Sequence, residues 1–261
     1  MDRRRFLIDT LHSCGDTTVT ESGFYKVGRQ AGVKYRQAKW IWESVAGDED
    51  KAIRTEYGVG QNMAAAVLEQ TPGDPDPELR TFLDDIQRRL ADRLSNRLHR
   101  FEVTPTQDPQ PAAFALPGGF LFVAKSLVEL CDHDQDELGF VVAHEMAHVV
   151  RRHAISRLLG QTALSAAALA SPARGAVAPW VRKVGVQFLE RAYSRDQEFD
   201  ADELGGMLMR AADFDPSGSV RALQRFERLD RAADGVGLGA YLSTHPPVAD
   251  RVARLRERLE L

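Results

Sequence analysis

A chain of 261 residues carries 34 Lys and Arg against 38 Asp and Glu, a net charge of −4, so no global positive field exists to draw in nucleic acid or an anionic lipid surface. The length suffices for one substantial core with room for a small accessory part. The two cysteines, Cys14 and Cys131, are too few for a disulfide framework and match no thiolate zinc or C-x-x-C spacing, so they read as reduced thiols.

Residues 1–47 read as a helical accessory segment, with Phe6, Leu7 and Leu11 in a first element and Ala38, Ile41, Trp42 and Val45 in a later one. Its 8 Lys or Arg against 5 Asp or Glu are compatible with a nucleic-acid-binding helix-turn-helix. A docking or packing module is the favoured reading, and no nucleic-acid partner is expected. Arg3-Arg4-Arg5-Phe6-Leu7 resembles a twin-arginine export core, but Asp9, His12 and Asp16 interrupt the apolar stretch such a signal needs. This favours the cytoplasm, with the periplasm as the alternative.

From Asp48 a helical pattern runs through Ile53, Tyr57, Met63, Val67 and Leu68 and stops in the proline-rich linker Thr71–Pro77. A second helix follows, with Leu79, Leu83, Ile86, Leu90 and Leu94 at helical spacing. Phe101–Val103, Ala113–Leu116 and Phe120–Val123 then read as three short strands of an antiparallel sheet, with Pro117-Gly118-Gly119 as a tight turn. Everything after Lys125 is helical again, which places the domain 48–261 in the α+β class. The longest charge-free run, Leu158 to Ala173, holds Gln161, Thr162, Ser165 and Pro172. It is too short and polar for a membrane span and reads as a buried or interfacial helix, so at most peripheral membrane contact is expected.

The chemistry is concentrated in His144-Glu145-Met146-Ala147-His148, an H-E-x-x-H motif inside the helical segment Leu138–Ile155. Two histidines four residues apart project from one helix face and can share a metal ion. Glu145 can then reach a water at that ion without ligating it. A catalytic zinc needs a third protein ligand, and the helix opening near Ser194 offers Glu198, with Asp202 four residues on along the same face. Asp202 is placed to accept the outer N–H of a ligating histidine. Asp200 competes for that role but should point to the opposite side of its helix.

His245, in Thr244-His245-Pro246-Pro247, could donate to a developing oxyanion or close the zinc as a resting-state fourth ligand. His153, nine residues after His144, falls on the far side of a continuous helix and receives no metal role. His12, His99 and His133 have no evident partners.

These motifs, together with Ala113-Phe114-Ala115-Leu116-Pro117-Gly118-Gly119, resemble in content and order the HtpX and CAAX prenyl endopeptidase type of zinc metallopeptidase, in particular its soluble and periplasmic members. The resemblance covers roughly residues 48 to 261. It implies a mainly helical, zincin-like (gluzincin) core with the active helix beneath an edge strand. The residues Ala115, Leu116, Pro117, Gly118 and Gly119 would then bind a polypeptide substrate as an added strand. One departure is Ala112, where relatives usually carry asparagine before the Ala-Phe-Ala-Leu-Pro-Gly-Gly stretch. The function implied is an endopeptidase with one Zn2+ per chain, held by His144, His148 and Glu198, acting on unfolded or membrane- or envelope-associated proteins. Glu145 would be its general base, assisted by His245. The alternative is a metal-containing chaperone or assembly factor with little proteolysis.

Overall fold

A computed structural model describes residues 49–157, 193–232 and 248–261. The accessory segment 1–47, the charge-free run 158–173 and His245 lie outside the described residues. Helix α1 (Glu49–Gln70) buries Ile53, Glu56, Gly60, Met63 and Val67, a single stripe spaced by three or four; Leu68, off that stripe, is exposed. Helix α2 (Pro77–Ala91) starts at Asp76, whose carboxylate accepts from the N–H groups of Glu78 and Leu79 at 2.9 and 3.2 Å. Pro77 supplies the first-turn position where a missing N–H costs nothing. Leu79, Leu83, Ile86 and Leu90 are buried, each contributing about 1.5–3 kcal/mol of transfer free energy. Leu94 falls past the end of α2 and packs against the core from outside the helix.

The three strands are β1 (Glu102–Thr106), β2 (Ala113–Leu116) and β3 (Phe120–Ala124), in the spatial order β1-β3-β2. The sheet is mixed, where a wholly antiparallel one was expected: β2 pairs antiparallel with β3, and β1 pairs parallel with it. Direction and placement explain the difference. Residues 107–112 carry the chain past the end of β3 to its far side, and the turn 117–119 then brings it back into the gap. A strand returning in this way must run parallel to β1. The central slot falls to β3 because Phe120-Leu121-Phe122-Val123-Ala124 is apolar at every position, and all five residues are buried.

The turn itself demands glycine. Gly118 and Gly119 have φ of 80° and 99°, and a Cβ on Gly119 would lie 1.8 Å from the carbonyl oxygen of Arg100. Gly119→Ala is therefore expected to destabilise the fold by more than about 1 kcal/mol, since a positive φ and a backbone clash add. Urea unfolding of the two proteins measures it, and equal midpoints would contradict this account of the turn.

Helix α3 (Lys125–Leu130) leads into α4 (Gln135–Val150), capped by the Asp134 carboxylate. Every α4 residue from Glu137 to Val149 is buried, the pattern of a helix covered on all sides. Its cover comes from the sheet and α2 together with α5 (Arg195–Ala211) and α6 (Ser217–Ala232), and α7 (Val248–Leu259) packs against α5 and α6. Gly205 of α5 lets that helix press on the α4 backbone: a Cβ there would meet the His144 nitrogen at 3.2 Å. On the other side of the sheet, Met63, Ala64 and Val67 of α1 cover Leu116, Phe120 and Phe122. The Glu56 carboxylate, also on α1, receives Arg152 Nε at 3.0 Å. Among the described residues, no helix is long and apolar enough to cross a membrane.

Candidate metal centre

The H-E-x-x-H spacing works on α4 as the helical repeat requires. His144 and His148 turn toward each other with their Nε2 atoms 3.1 Å apart, and both side chains are fully buried. Ser194 begins α5 with a capping box, its hydroxyl accepting from the N–H of Gln197 while Gln197 reaches back to the Ser194 N–H. That fixed start aims Glu198 at both histidines, with Oε2 3.5 Å from His144 Nε2 and Oε1 3.4 Å from His148 Nε2. Among the described residues, these three form a group whose ligand atoms all lie within 4.8 Å of one another. A tetrahedral ion with bonds of about 2.0–2.1 Å needs donors about 3.3–3.4 Å apart. The donor set therefore fits a metal without rearrangement.

Asp202 Oδ1 lies 2.9 Å from His144 Nδ1, on the side away from the donor triangle. Arg251, from α7, reaches in behind both carboxylates and is itself 1 % exposed. Its Nε and one terminal nitrogen donate to Asp202 at 2.8 and 2.7 Å, and its other terminal nitrogen lies 3.3 Å from Glu198 Oε2. Burial alone would raise the Asp202 carboxyl, but Arg251 and His144 outweigh it and hold that group below the usual aspartate range. Burial pushes the His144 imidazole down, yet hydrogen bonding to Asp202 and Glu198 overcomes it and lifts the pKa to about 9. Glu145, beside His144 on α4, is 1 % exposed.

Arg251 is a participant that the sequence did not assign, as is Tyr193. The Tyr193 ring stacks on His148 at 3.8 Å between centroids and 14° between planes, with the Arg157 guanidinium 4.3 Å from the same ring. Burial, and the nearby negative charges of Glu145 and Glu198 against the pull of Arg157, raise the Tyr193 hydroxyl well above the tyrosine range. No local pattern marks either residue, because each acts across a tertiary contact.

His153 corrects an expectation. The straight-helix argument fails because α4 ends at Val150 and Arg152 takes φ 59°, so the chain turns and His153 opens the helical stretch 153–157. Its Nδ1 comes to 3.2 Å from His148 Nδ1. Burial lowers the His153 pKa against the opposing pull of Asp200. Asp200 is not among the clustered donor residues, and its Oδ2 lies 3.4 Å from His153 Nε2.

Of the residues expected to meet substrate, Ala115 and Leu116 stand on β2, an outer strand of the sheet that packs on α4, and both are buried. Pro117, Gly118 and Gly119 form the buried turn beneath α1, where a Gly118 Cβ would meet the Tyr57 Cα at 2.4 Å. His99 stacks on Phe101 and His133 lies near Phe82, and neither belongs to the donor triangle.

Residues 77–259 match the model of peptidase family M48. The chain is 34% identical over 165 residues to the mitochondrial metalloendopeptidase OMA1 of Schizosaccharomyces pombe, covering 61% of this chain and 47% of that protein. It is 25% identical over 219 residues to the beta-barrel assembly-enhancing protease of Escherichia coli, covering 79% and 44%. Metalloprotease YcaL of the same organism is 24% identical over 182 residues, 68% of each chain. The chain thus spans less than half the length of the first two. These relatives do not single out the HtpX and CAAX prenyl type that the motifs resemble; the assignment they carry is the broader one. The match covers well over half the sequence and contains the donor triangle, Glu145, Asp202 and Arg251: this chain belongs to peptidase family M48, a family of metallopeptidases.

Proposed function

We propose that this protein is a zinc-dependent endopeptidase in which His144, His148 and Glu198 hold the ion and Glu145 is the general base. The observation that carries the reading is the buried triangle of donors at tetrahedral spacing, two of them on the helix that also bears Glu145 and the third on α5. Two imidazoles and one carboxylate are a donor set suited to zinc, which when bound supplies the Lewis acidity that brings the ionisation of water toward neutral pH. Asp202 holds the Nδ1–H of His144 and so keeps the Nε2 lone pair directed into the triangle. Arg251 keeps Asp202 ionised and sets its remaining terminal nitrogen beside Glu198. Glu145 takes a proton from the attacking water and returns it to the leaving amine. Extended substrate backbone would join at the outer side of β2, beside Ala115 and Leu116, which are buried without substrate, whereas Pro117, Gly118 and Gly119 act by shaping the end of that strand. His245 retains its two alternative roles, oxyanion donor or fourth ligand.

Unfolded or membrane- or envelope-associated polypeptides are the proposed substrates. Relatives named for a mitochondrial location and for beta-barrel assembly support that class. The test is cleavage of an unfolded protein by the purified full chain: zinc should support it, a chelator should stop it and added zinc should restore it. A protein that binds zinc and protects the unfolded chain without cutting it would instead be the metal-containing chaperone or assembly factor.

Metal uptake should also release a proton. With its pKa raised to about 9 in the metal-free protein, His144 is protonated at neutral pH and must lose that proton to donate its lone pair. Apparent affinity is therefore expected to climb as pH rises toward 9 and then level. Calorimetry in buffers of different ionisation enthalpy reads the proton directly, and a buffer-independent enthalpy at pH 7 would contradict the assignment.

A further inference from the structure

The two histidine ligands are backed differently. His144 has a carboxylate directly behind its ring, Asp202 at 2.9 Å. Behind His148 the chain places another imidazole: His153 Nδ1 is 3.2 Å from His148 Nδ1, with ring centroids 5.2 Å apart and planes at 66°. The second nitrogen of His153 lies 3.4 Å from Asp200 Oδ2, while Asp200 Oδ1 is 3.2 Å from Arg151 Nε. Asp200 is therefore held by the residue that follows α4, and it faces the outer edge of His153.

The proton positions in this row follow from its two ends. His148 presents Nε2 to the donor triangle, so its remaining proton sits on Nδ1 and must be donated. Two facing Nδ1 atoms can form a hydrogen bond only if one is protonated and the other is not. His153 must then carry its proton on Nε2, and the group beside Nε2 is a carboxylate, which can only accept. Each end of the row dictates the same tautomer for His153.

We propose that His153 is a positioning residue for the metal centre: Asp200 faces its Nε2 edge and favours the proton there, its Nδ1 accepts the Nδ1–H of His148, and this fixes the tautomer and ring angle in which His148 Nε2 is the donor. The proposal rests on the assignment of His148 as a ligand. It also explains the break in α4. A helix continued through residues 151 and 152 would carry His153 away from His148, and the left-handed Arg152 turns the chain back. Where His144 is backed by a full negative charge, His148 is backed by a neutral ring, which makes His148 the less basic of the two donors.

The test uses the full chain stripped of metal. Zinc affinity is measured by competition with a chromogenic chelator, and the visible absorption of the Co2+-loaded protein reports the ligand field. His153→Phe keeps an aromatic ring of similar bulk and removes the acceptor. It should weaken zinc binding about 10- to 100-fold and shift the Co2+ bands. His153→Gln, whose amide oxygen accepts and whose amide nitrogen donates, should recover most of the affinity and the spectrum. A merely structural role would not be rescued by that change. Asp200→Ala, at a half-exposed position on α5, leaves packing intact and should weaken binding in the same direction. It decides the matter should His153→Phe fail to fold.

His144→Ala serves as the control for the ligand assignment. Loss of zinc by His144→Ala beside unchanged affinity and spectrum in His153→Phe, or in Asp200→Ala where the former does not fold, overturns the role of His153 alone. Retention of zinc by His144→Ala would overturn the ligand assignment and this proposal with it.

Discussion

Glu145→Gln is expected to bind as much zinc as the unaltered protein and to cleave about 10²- to 10⁴-fold more slowly, the usual contribution of a positioned general base. The substitution is close to isosteric, so the 1 % exposed pocket that holds the side chain is still filled. None of the three proposed ligands is altered. What disappears is the ability to accept a proton at neutral pH, because an amide oxygen is not a base in that range. Metal analysis and initial cleavage rates on one preparation of each protein separate the two effects. A variant that loses its zinc would make Glu145 a structural support for the ligands, and one that keeps its rate would need another base.

Arg251→Met should produce the largest change in stability. A single guanidinium serves Asp202 through two hydrogen bonds and Glu198 through a third contact, and all three side chains are almost entirely buried. Methionine fills much of the space but removes the cation behind both carboxylates, leaving them the His144 imidazole on their other side. Removing one partner of a buried ion pair costs about 3–5 kcal/mol, and here one residue is the partner of two. Zinc brings a replacement positive charge to Glu198 but not to the far side of Asp202. The loss should therefore be largest in metal-free protein and smaller, though still present, after loading. Urea unfolding with and without zinc reads both values. Equal losses in the two states would mean that Arg251 and the ion act on Glu198 independently.

That His144, His148 and Glu198 come together was legible in the sequence because the grouping depends on local geometry. His144 and His148 share one helix face at any position in a protein, and so do Glu198 and Asp202. Pairing the two faces required only that both helices reach the core. The α+β class was equally legible, since Phe120–Ala124 is too short and too uniformly apolar to be anything but a covered strand. That same uniformity, read more closely, marks a central strand, from which the mixed pairing follows. Other features were not local. His153 was misplaced by assuming that α4 continues, and nothing in Val149-Val150-Arg151-Arg152 lacks helical propensity enough to announce a stop. Arg251 and Tyr193 meet the ligands from distant elements, and a single arginine on an amphipathic helix looks like any solvated charge until its partners are known.

Helix α1 lies before residue 77, outside the segment that matches the family, yet Met63, Ala64 and Val67 cover Leu116, Phe120 and Phe122, and Glu56 holds Arg152 at the bend that delivers His153. A chain trimmed to residue 77 would keep every proposed ligand and yet open Leu116, Phe120 and Phe122 to water. The helix that contributes no chemistry therefore decides how short the domain can be cut.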